Sequence, residues 1–579
     1  MSKIKFFSLI IVCYFYCTSL YAQVGVTIEI KGVTDEIATN VRLFLSIEQQ
    51  KSHTLLTEGR LRRIHNKAQQ EIINALQPFG YYRPVIDSKL TQPSPNQWLA
   101  TYTINVGPPL LISQLKLIVK GGGKSDPEFK ALIEGIPLHK GNIFNHATYG
   151  AVKSSFINLA VERGYFRAKF IQNKVEIDLN VYEARVYLEF DSGPRYLFGE
   201  ITIQQDVLDQ DLLQRYIPFK KGSMYTLSKV IELQHALNDS NYFNSVEVSS
   251  GKPLDKSTEI PINVSLKPRK KNRYTFGLGY GTDTGARAKI GWEKPRVNKK
   301  GHRFNTEAKV SELGHSASAY YRVPILNPRT DQMIYSIGET NEKTETSDST
   351  LRSIGAALNR NHNDWRESIA INYQQEEYII SNDRGDSTLL IPNVNWSRTW
   401  GNNFINTIDG LRFDIGFRGA NKSLLSDTDF FQVQSGIKVI SSFGQYNRII
   451  ARGRIGSTST QEFNQLPASV RFFAGGTQSV RGYEYQSLGP KDVNGKVIGG
   501  KHLMTGSIEF EHSFSNKWGA AIFYDAGNAI DNINDKLERG AGIGFRWKSP
   551  VGTIRIDIAN AVSRDDNQWR LHINIGPDL

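Results

Sequence analysis

The second half of the chain is a series of short segments in which apolar and polar residues alternate. In residues 553–560 (TIRIDIAN) and 411–418 (LRFDIGFR), every second residue is apolar and charged residues lie between. A strand has this period of two because successive side chains point to opposite faces of the sheet. Charges at every second position would be costly in the core of a soluble β-sandwich, but a water-filled barrel interior tolerates them. The pattern therefore predicts an antiparallel transmembrane β-barrel.

Sixteen such segments can be counted between residues 273 and 579. Bacterial single-chain barrels have even strand numbers. After residue 22, no apolar run approaches the ~20 residues that a membrane-spanning helix needs, so a membrane would have to be crossed by strands. The predicted strands begin near Tyr274, Ala286, Arg303, His315, Gln332, Leu351, Glu367, Leu390, Gly410, Phe431, Arg448, Leu503, Trp518, Arg539, Gly552 and Gln568.

The first 22 residues have the layout of a secretory signal peptide: two lysines, an apolar run over residues 6–16, and small residues up to Ala22. Both cysteines of the chain, Cys13 and Cys17, lie within this segment. Cleavage after Ala22 would leave a mature protein without cysteine. That excludes disulfides, thiolate metal sites and a cysteine nucleophile, and it suits an oxidising envelope compartment.

Residues 23–272 carry one pattern three times, with the order strand, helix, helix, strand, strand. Helical spacing of apolar residues is clearest over residues 58–76 and 148–163. The units open with strand-like stretches at Val24–Lys31, Leu111–Lys120 and Phe198–Gln205. Each later contains a small or polar residue followed by two aromatic residues, at Gly80-Tyr81-Tyr82, Gly164-Tyr165-Phe166 and Asn241-Tyr242-Phe243.

This repeat resembles the POTRA domain, whose Gly-Tyr-Phe turn corresponds to the three triplets. The resemblance implies three α+β domains, at residues 23–108, 109–195 and 196–272, followed by the barrel at residues 273–579. The aromatic residues themselves are explained by core packing. A small mixed sheet with an open edge can accept an extended client segment through its unpaired N–H and C=O groups. The sequence does not identify which of the three sheets has a free edge.

A glycine-rich segment, residues 474–490 (AGGTQSVRGYEYQSLGP), separates the eleventh and twelfth predicted strands. Such a segment can fold back on itself because glycine reaches backbone conformations that other residues avoid. Its lone arginine, Arg481, carries five N–H donors that match a carboxylate. The same spacing of glycines around one arginine would also occur in an ordinary surface loop whose arginine is solvated, so this alternative stays open.

The residues Val480, Arg481, Gly482 and Tyr483 resemble the VRGF/VRGY signature of the BamA/TamA superfamily of outer-membrane assembly factors. The resemblance implies a 16-stranded barrel in which the loop, at about residues 461–502, folds into the lumen and its arginine pairs with an acidic residue of the wall. The motif FYDAGN at residues 523–528 also matches, which favours Asp525 as that acid. Glu509 and Asp557, on lumen-facing positions, remain competitors, and each of the three acids could simply line a hydrated wall.

The first and last predicted strands are both poorly suited to closing a barrel. Gly277, Gly279 and Gly281 weaken the first strand, and the last runs into Gly576 and Pro577, which has no N–H for a ladder. We hypothesise an openable seam between these strands, through which client β-segments pass sideways into the membrane.

Three repeats and the ending Gly576-Pro577-Asp578-Leu579 are most similar to the TamA branch of the superfamily. That resemblance implies assembly of autotransporters and other unfolded outer-membrane protein clients, contact with outer-membrane lipid, periplasmic POTRA domains, and a TamB-like partner anchored in the inner membrane. A BamA-type or two-partner-secretion transporter, a lipid transporter and a passive channel are the alternatives. No catalytic motif, metal site, cofactor site or nucleic-acid-binding role is predicted.

Overall fold

The computed structural model describes residues 25–53, 56–252, 257–403, 405–550, 552–564, 568–576 and 578. The predicted signal peptide at residues 1–22 and Pro577 lie outside the described residues. The chain divides into two compact units. One contains the first two repeats and parts of the third, and the other contains the rest of the third repeat and the barrel.

The three repeats have the predicted order of elements, with one additional short helix in the first. The first repeat contains β1 (Gly25–Lys31), α1 (Asp35–Phe44), α2 (Ser46–Gln50), α3 (Glu58–Leu76), β2 (Val85–Ser94) and β3 (Gln97–Asn105). The second contains β4 (Leu111–Lys120), α4 (Pro127–Gly135), α5 (His146–Glu162), β5 (Lys169–Asp178) and β6 (Glu183–Asp191). The third contains β7 (Leu197–Gln204), α6 (Gln210–Gln214), α7 (Leu227–Asp239), β8 (Phe243–Ser250) and β9 (Glu259–Pro268).

Each repeat has a three-stranded sheet with the last strand in the middle, in the orders β1-β3-β2, β4-β6-β5 and β7-β9-β8. In the first two sheets the middle strand runs parallel to the first strand and antiparallel to the second. The helices cover one face of each of these sheets, and buried residues of both form the cores. Side-chain caps start three of the described helices: α3, α4, where Asp126 accepts from Glu128 N, and α5. Thr57 Oγ1 accepts from Arg60 N before α3, and Asn145 Oδ1 accepts from Ala147 N before α5.

The turn before the second strand of each repeat explains the shared triplets. Gly80, Gly164 and Asn241 have φ values of 89°, 77° and 59°, in the left-handed region that glycine and asparagine tolerate best. The tyrosines that follow Gly164 and Asn241 are buried. The triplets are therefore turn and core features, as predicted for the aromatic residues.

The barrel is one sheet of sixteen strands, which confirms the predicted fold class. Its first eight strands are β10 (Arg273–Gly281), β11 (Gly285–Lys294), β12 (Arg303–Ser311), β13 (Gly314–Pro324), β14 (Gln332–Lys343), β15 (Ser347–His362), β16 (Trp365–Ile380) and β17 (Asp383–Gly401). The other eight are β18 (Gly410–Ala420), β19 (Phe430–Phe443), β20 (Asn447–Ser459), β21 (His502–Ser513), β22 (Trp518–Ile530), β23 (Glu538–Ser549), β24 (Gly552–Asn560) and β25 (Trp569–Gly576).

All adjacent strands in this sequence order pair antiparallel, so β10 and β25 are the two ends of the sheet. Along β22, exposed and buried residues alternate strictly from Trp518 to Asp525. The outward residues of β10 are apolar, with Phe276 and Leu278 among the most exposed. None of the helices in the described part of the chain is long and apolar enough to cross a membrane.

Candidate functional site: the inward loop and the barrel seam

The segment between β20 and β21 folds back into the lumen of the barrel. Ala474 and Leu488 exchange two backbone hydrogen bonds of 3.0 and 2.9 Å, and Phe472 and Gly500 pair in the same way. Arg481 lies at the tip of this fold and is buried. The structure therefore places the loop arginine against the wall and not in solvent.

The guanidinium of Arg481 contacts all three acids proposed from the sequence. Nε donates to Asp525 Oδ2 at 2.7 Å, and Nη2 donates to Asp525 Oδ1 at 2.9 Å and to Ser507 Oγ at 3.2 Å. Nη1 donates to Glu509 Oε2 at 2.6 Å and to Asp557 Oδ2 at 2.9 Å. All five N–H donors of the side chain thus have an acceptor. Asp525 takes the bidentate position, and the other two acids share the remaining nitrogen.

The wall is shaped to receive this arginine. Register pairs Ser507 on β21 with Asp525 on β22, so both face the guanidinium. The ring of Phe523 lies 3.4 Å from the guanidinium carbon, a cation–π contact. On β23, a Cβ at Gly540 would lie 1.9 Å from the carbonyl oxygen of Arg481, so only glycine leaves room for the loop backbone.

The two residues after Arg481 fix the loop to the last strands. Gly482 has a φ of 96°, and a Cβ there would lie 2.9 Å from the backbone of Asn560. Its N–H donates to His572 Nε2 at 2.9 Å. Tyr483 is also buried, and its hydroxyl donates to Glu538 Oε2 at 2.9 Å. Each residue of the signature after Val480 therefore has its own partner on the wall.

A second buried arginine, Arg546 on β23, shares two of these acids, Glu509 and Asp557, and was not among the site residues selected from the sequence. Its Nε donates to Glu511 Oε1 at 2.9 Å, its Nη2 donates to Glu509 Oε1 at 2.7 Å, and its Nη1 contacts Asp557. The alternation in β23 could have identified it. Phe545 faces outward, so Arg546 faces the lumen.

The ion-pair network continues from Glu511 to the end of the chain. Arg448 contacts Glu511 through Nε, and its Nη1 donates to Asp578 Oδ2 at 2.7 Å and to the carbonyl oxygen of Thr407 at 2.9 Å. Arg555 also contacts Asp578, which is fully buried. Asp578 is therefore held inside the barrel and is a second site residue that sequence reasoning did not select.

The ends of the sheet meet at one point. Thr282 N donates to Ile573 O at 3.3 Å, and Ile573 N donates to Thr282 Oγ1 at 3.1 Å. Among the described residues no ladder joins β10 to β25. The proposed seam residues Gly277, Gly279 and Gly281 all lie on the inner face of β10, because the residues between them point outward, and Gly576 pairs with Thr553 at the end of β25.

The loop contacts both sides of this opening. Thr477 N donates to Asp283 Oδ2 at 2.9 Å, in the turn that follows β10. Gly482 N donates to His572 on β25, as described above. The loop therefore bridges the first hairpin and the last strand inside the lumen. No group of three His, Cys, Asp or Glu side chains that could hold a metal ion occurs in the described ranges.

Comparison with known proteins identifies the family. The Omp85 superfamily domain matches residues 270–578, just over half of the 579-residue chain. This chain belongs to the Omp85 superfamily. Within the repeats, the model "POTRA domain TamA domain 1" matches residues 27–106, and the POTRA model described as a surface antigen variable number repeat matches residues 196–269.

Curated relatives of this Omp85 chain are named outer membrane protein assembly factor BamA. The protein from Nitratidesulfovibrio vulgaris is 24% identical over 60% of this chain and 46% of its own length. The protein from Neorickettsia risticii is 23% identical over 76% of this chain and 62% of its own length. The chain thus spans about half to three-fifths of these relatives.

A solved structure shares the Omp85 fold. The crystal structure of BamA from Haemophilus ducreyi lacking POTRA domains 1–3 aligns with a TM-score of 0.67 and 16% identity, covering 80% of this chain and 99% of that one. This similarity supports the fold of repeats followed by a nearly closed 16-stranded barrel.

Proposed function

We propose that this Omp85 protein assembles outer-membrane proteins by pairing client β-strands with the exposed edge of β10 at the seam. The observation that carries the proposal is the linear order of the sheet. Within the described ranges, the hydrogen bonds between its two ends are those of Ile573 on β25 with Thr282, the residue that follows β10. An unpaired strand edge presents backbone N–H and C=O groups that bind another strand.

The side chains of β10 suit an incoming membrane strand. Its outer face carries Tyr274, Phe276, Leu278 and Tyr280, all exposed. At the end of β10 nearest the turn, its inner face carries Gly277, Gly279 and Gly281, so β10 itself presents no side chain there to a segment approaching from within. A client strand that adds to this edge continues the apolar outer face, because side chains alternate in register across a sheet.

The repeats supply further strand edges. β2 and β5 are edge strands of the first two sheets, and most of their residues are exposed. We propose that they bind extended clients in the periplasm, with the barrel in the outer membrane. Three repeats, the first matching a TamA model, support a TamA-type factor that works with a TamB-like inner-membrane partner and has no enzymatic activity.

A reversible cross-link tests the seam. The variant Thr282→Cys/Ile573→Cys places two thiols where the strands touch, and the predicted mature chain contains no other cysteine. Oxidation should stop insertion of a model autotransporter into vesicles, and reduction should restore it. The control pair, Ile449→Cys/Phe510→Cys, joins directly opposed residues of the paired strands β20 and β21. Equal insertion by oxidised and reduced seam variants would overturn lateral insertion.

Depletion in cells tests the TamA-type assignment. Autotransporter assembly should fall on depletion and return with the wild-type chain, and the TamB-like protein should be recovered by cross-linking to the repeats. Loss of all outer-membrane proteins would instead indicate a BamA-type factor. Normal assembly of every client would reject an assembly function and leave lipid transport or a passive channel.

A further inference from the structure

Three cations lie directly opposite one another on adjacent strands of the lumen wall. Register pairs Arg412 on β18 with Lys438 on β19, and Lys438 with Arg452 on β20. Arg454 is two residues further along β20 on the same face. Like charges directly opposite each other destabilise a sheet. A row of three cations without an acid between them therefore favours the binding of a compensating anion.

Three of these four cations, Arg412, Lys438 and Arg454, form no ion pair with a carboxylate within 4.0 Å among the described residues, whereas Arg452 does. Within the described residues, neither Arg412 nor Arg454 has a side-chain hydrogen bond or an ion pair, although both are exposed to the lumen. Among the described residues, Lys438 Nζ donates only to the backbone carbonyl of Asp578. Arg452 forms a long ion pair with Asp525, 3.8 Å from Nη2 to Oδ2, and its Nη1 donates to Gln478 Oε1 at 3.5 Å, but its buried Nη2 has no hydrogen-bond partner within the described ranges.

All four side chains line one lumenal cavity of about 380 Å³. Three of the four acids in its lining, Glu509, Asp557 and Asp578, already bind the arginines of the network described above. The fourth, Asp414, is opposite Gly436 and forms no ion pair within 4.0 Å among the described side chains. The lining therefore has a surplus of positive charge.

A buried histidine provides an independent indication of a ligand. His572 lines the same cavity and is 1% exposed. Its Nε2 accepts the hydrogen bond from Gly482, which places the ring proton on Nδ1, and Nδ1 has no hydrogen-bond partner in the part of the chain that the structure describes. A buried donor without an acceptor is costly.

We propose that this cavity binds a phosphate-type oxyanion, either inorganic phosphate or a phosphomonoester. The site offers guanidinium, ammonium and imidazole N–H donors, and oxyanions with several acceptor oxygens match arginine forks particularly well. A doubly charged anion would offset most of the charge of the row formed by Arg412, Lys438 and Arg452, in which only Arg452 has an ion pair among the described residues. The proposal goes beyond the assembly function: the four cations lie on β18, β19 and β20, and of the residues argued here only His572, on β25, belongs to a seam strand.

Binding is measured with the purified full chain in a neutral detergent. Inorganic phosphate is titrated at constant ionic strength, and heat of binding and Tm are recorded. We expect phosphate to raise the Tm of the wild type. The double variant Arg412→Gln/Arg454→Gln should bind phosphate at least about tenfold more weakly, the fold change that corresponds to one charge-assisted hydrogen bond.

Folding of the variant is checked in the same experiment. Both arginines are exposed and unpaired, so without phosphate the variant should have a Tm equal to or above that of the wild type. The control, Arg384→Gln, changes an exposed arginine of β17 outside the cavity and should keep the phosphate response. A phosphate response equal in wild type and double variant, or reproduced by sodium chloride alone, would overturn the proposal.

A second experiment tests whether the bound anion is inorganic phosphate or the phosphomonoester of a lipid headgroup. Detergent micelles containing phosphatidic acid present a phosphomonoester, and micelles containing phosphatidylcholine do not. A rise in Tm with phosphatidic acid that is lost in the double variant would identify a lipid headgroup as the ligand. A rise in Tm with inorganic phosphate alone would identify the free ion. The absence of both effects would reject the site.

Discussion

The protein contains two buried charge clusters with opposite arrangements. In the second repeat, one acid is central: Asp126 accepts from Arg163 Nη2 at 2.8 Å and from the Tyr165 hydroxyl at 2.9 Å, and Arg195 lies 3.4 Å away. In the barrel, one arginine is central and three acids surround it. Both central residues are almost fully buried.

The clusters differ in the freedom of the outer partners. The side chains of Arg163 and Arg195 are 20% and 17% exposed, so each can turn to water if Asp126 is lost. Those of Asp525 and Asp557 are 0% and 6% exposed and cannot. A buried charge that loses its partner is strongly destabilising, whereas a charge that reaches water is not. In the barrel cluster, removal of a single charged residue therefore leaves a buried charge without its partner, whereas in the second repeat the remaining charges can reach water.

The largest expected effect is that of Arg481→Ala. Three carboxylates would lose a shared cation in a closed environment, and breaking a buried pair costs about 3–5 kcal/mol. The free energy of barrel unfolding should fall by that amount, measured by urea titration in detergent with tryptophan fluorescence.

The matched control for this measurement is Arg352→Ala. Arg352 also binds two carboxylates, on Glu339 and Glu377, but its side chain is 55% exposed. Exposed pairs contribute about 0–1 kcal/mol. Equal losses in the two variants would remove the distinction between buried and exposed clusters in this barrel.

Gly482→Ala should have the next largest effect. The new Cβ would lie 2.9 Å from the backbone of Asn560, and a non-glycine residue at a φ of 96° is strained. Strain of this kind costs about 1–3 kcal/mol. The same urea titration should show this loss, and Gly506→Ala on β21, where a Cβ has open space, is its control. Unchanged stability would mean that the loop can move away from β24.

In the second repeat, Asp126→Asn should have a smaller effect. The amide keeps the shape of the side chain but removes the charge that strengthens the bonds from Arg163 and Tyr165. The expected loss is about 1–2 kcal/mol. Hydrogen–deuterium exchange should rise in peptides from residues 110–195 and stay unchanged in the barrel. Faster exchange in the barrel would show that the two clusters are coupled.

The smallest expected effect is a pH dependence of the same repeat. Burial raises the pKa of Asp126, but hydrogen bonds from Tyr165 and Arg163 outweigh it, so this pKa lies below its ordinary value. The resulting stability is present above the unfolded pKa of about 3.9 and is lost as pH falls through the folded pKa. Pulse proteolysis with pepsin should detect this loss in the wild type, and Asp126→Asn should show less of it.

Much of the fold could be predicted from the sequence because period-two alternation marks each strand. Predicted starts and observed starts agree within one residue for most barrel strands. The largest discrepancy is β17, which begins at Asp383 and not near Leu390. Residues 383–387 are polar or glycine, so no alternation marks this end of the strand. Hydrogen bonding to β16 extends the strand regardless of side chains.

The site could be predicted only in part. The resemblance to the superfamily motifs and the strand alternation select Arg481 and three acids, but the sequence does not show that one guanidinium contacts all of them. That depends on how deeply the loop enters the lumen and on the placement of β21, β22 and β24 in the wall around it. Arg546 and Asp578 were missed because their partners are distant in sequence and no local spacing links them.

The contacts of the loop that bridges the seam also constrain the order in which parts of the barrel fold. Thr477 and Asp283 are 194 residues apart, and Gly482 and His572 are 90 apart. Contacts of such large sequence separation form slowly because long loops must close first. We therefore expect the loop to be seated late, because its contacts need both the first hairpin and the last strand to be in place, so Arg481 reaches its acids only as the two ends of the sheet come together.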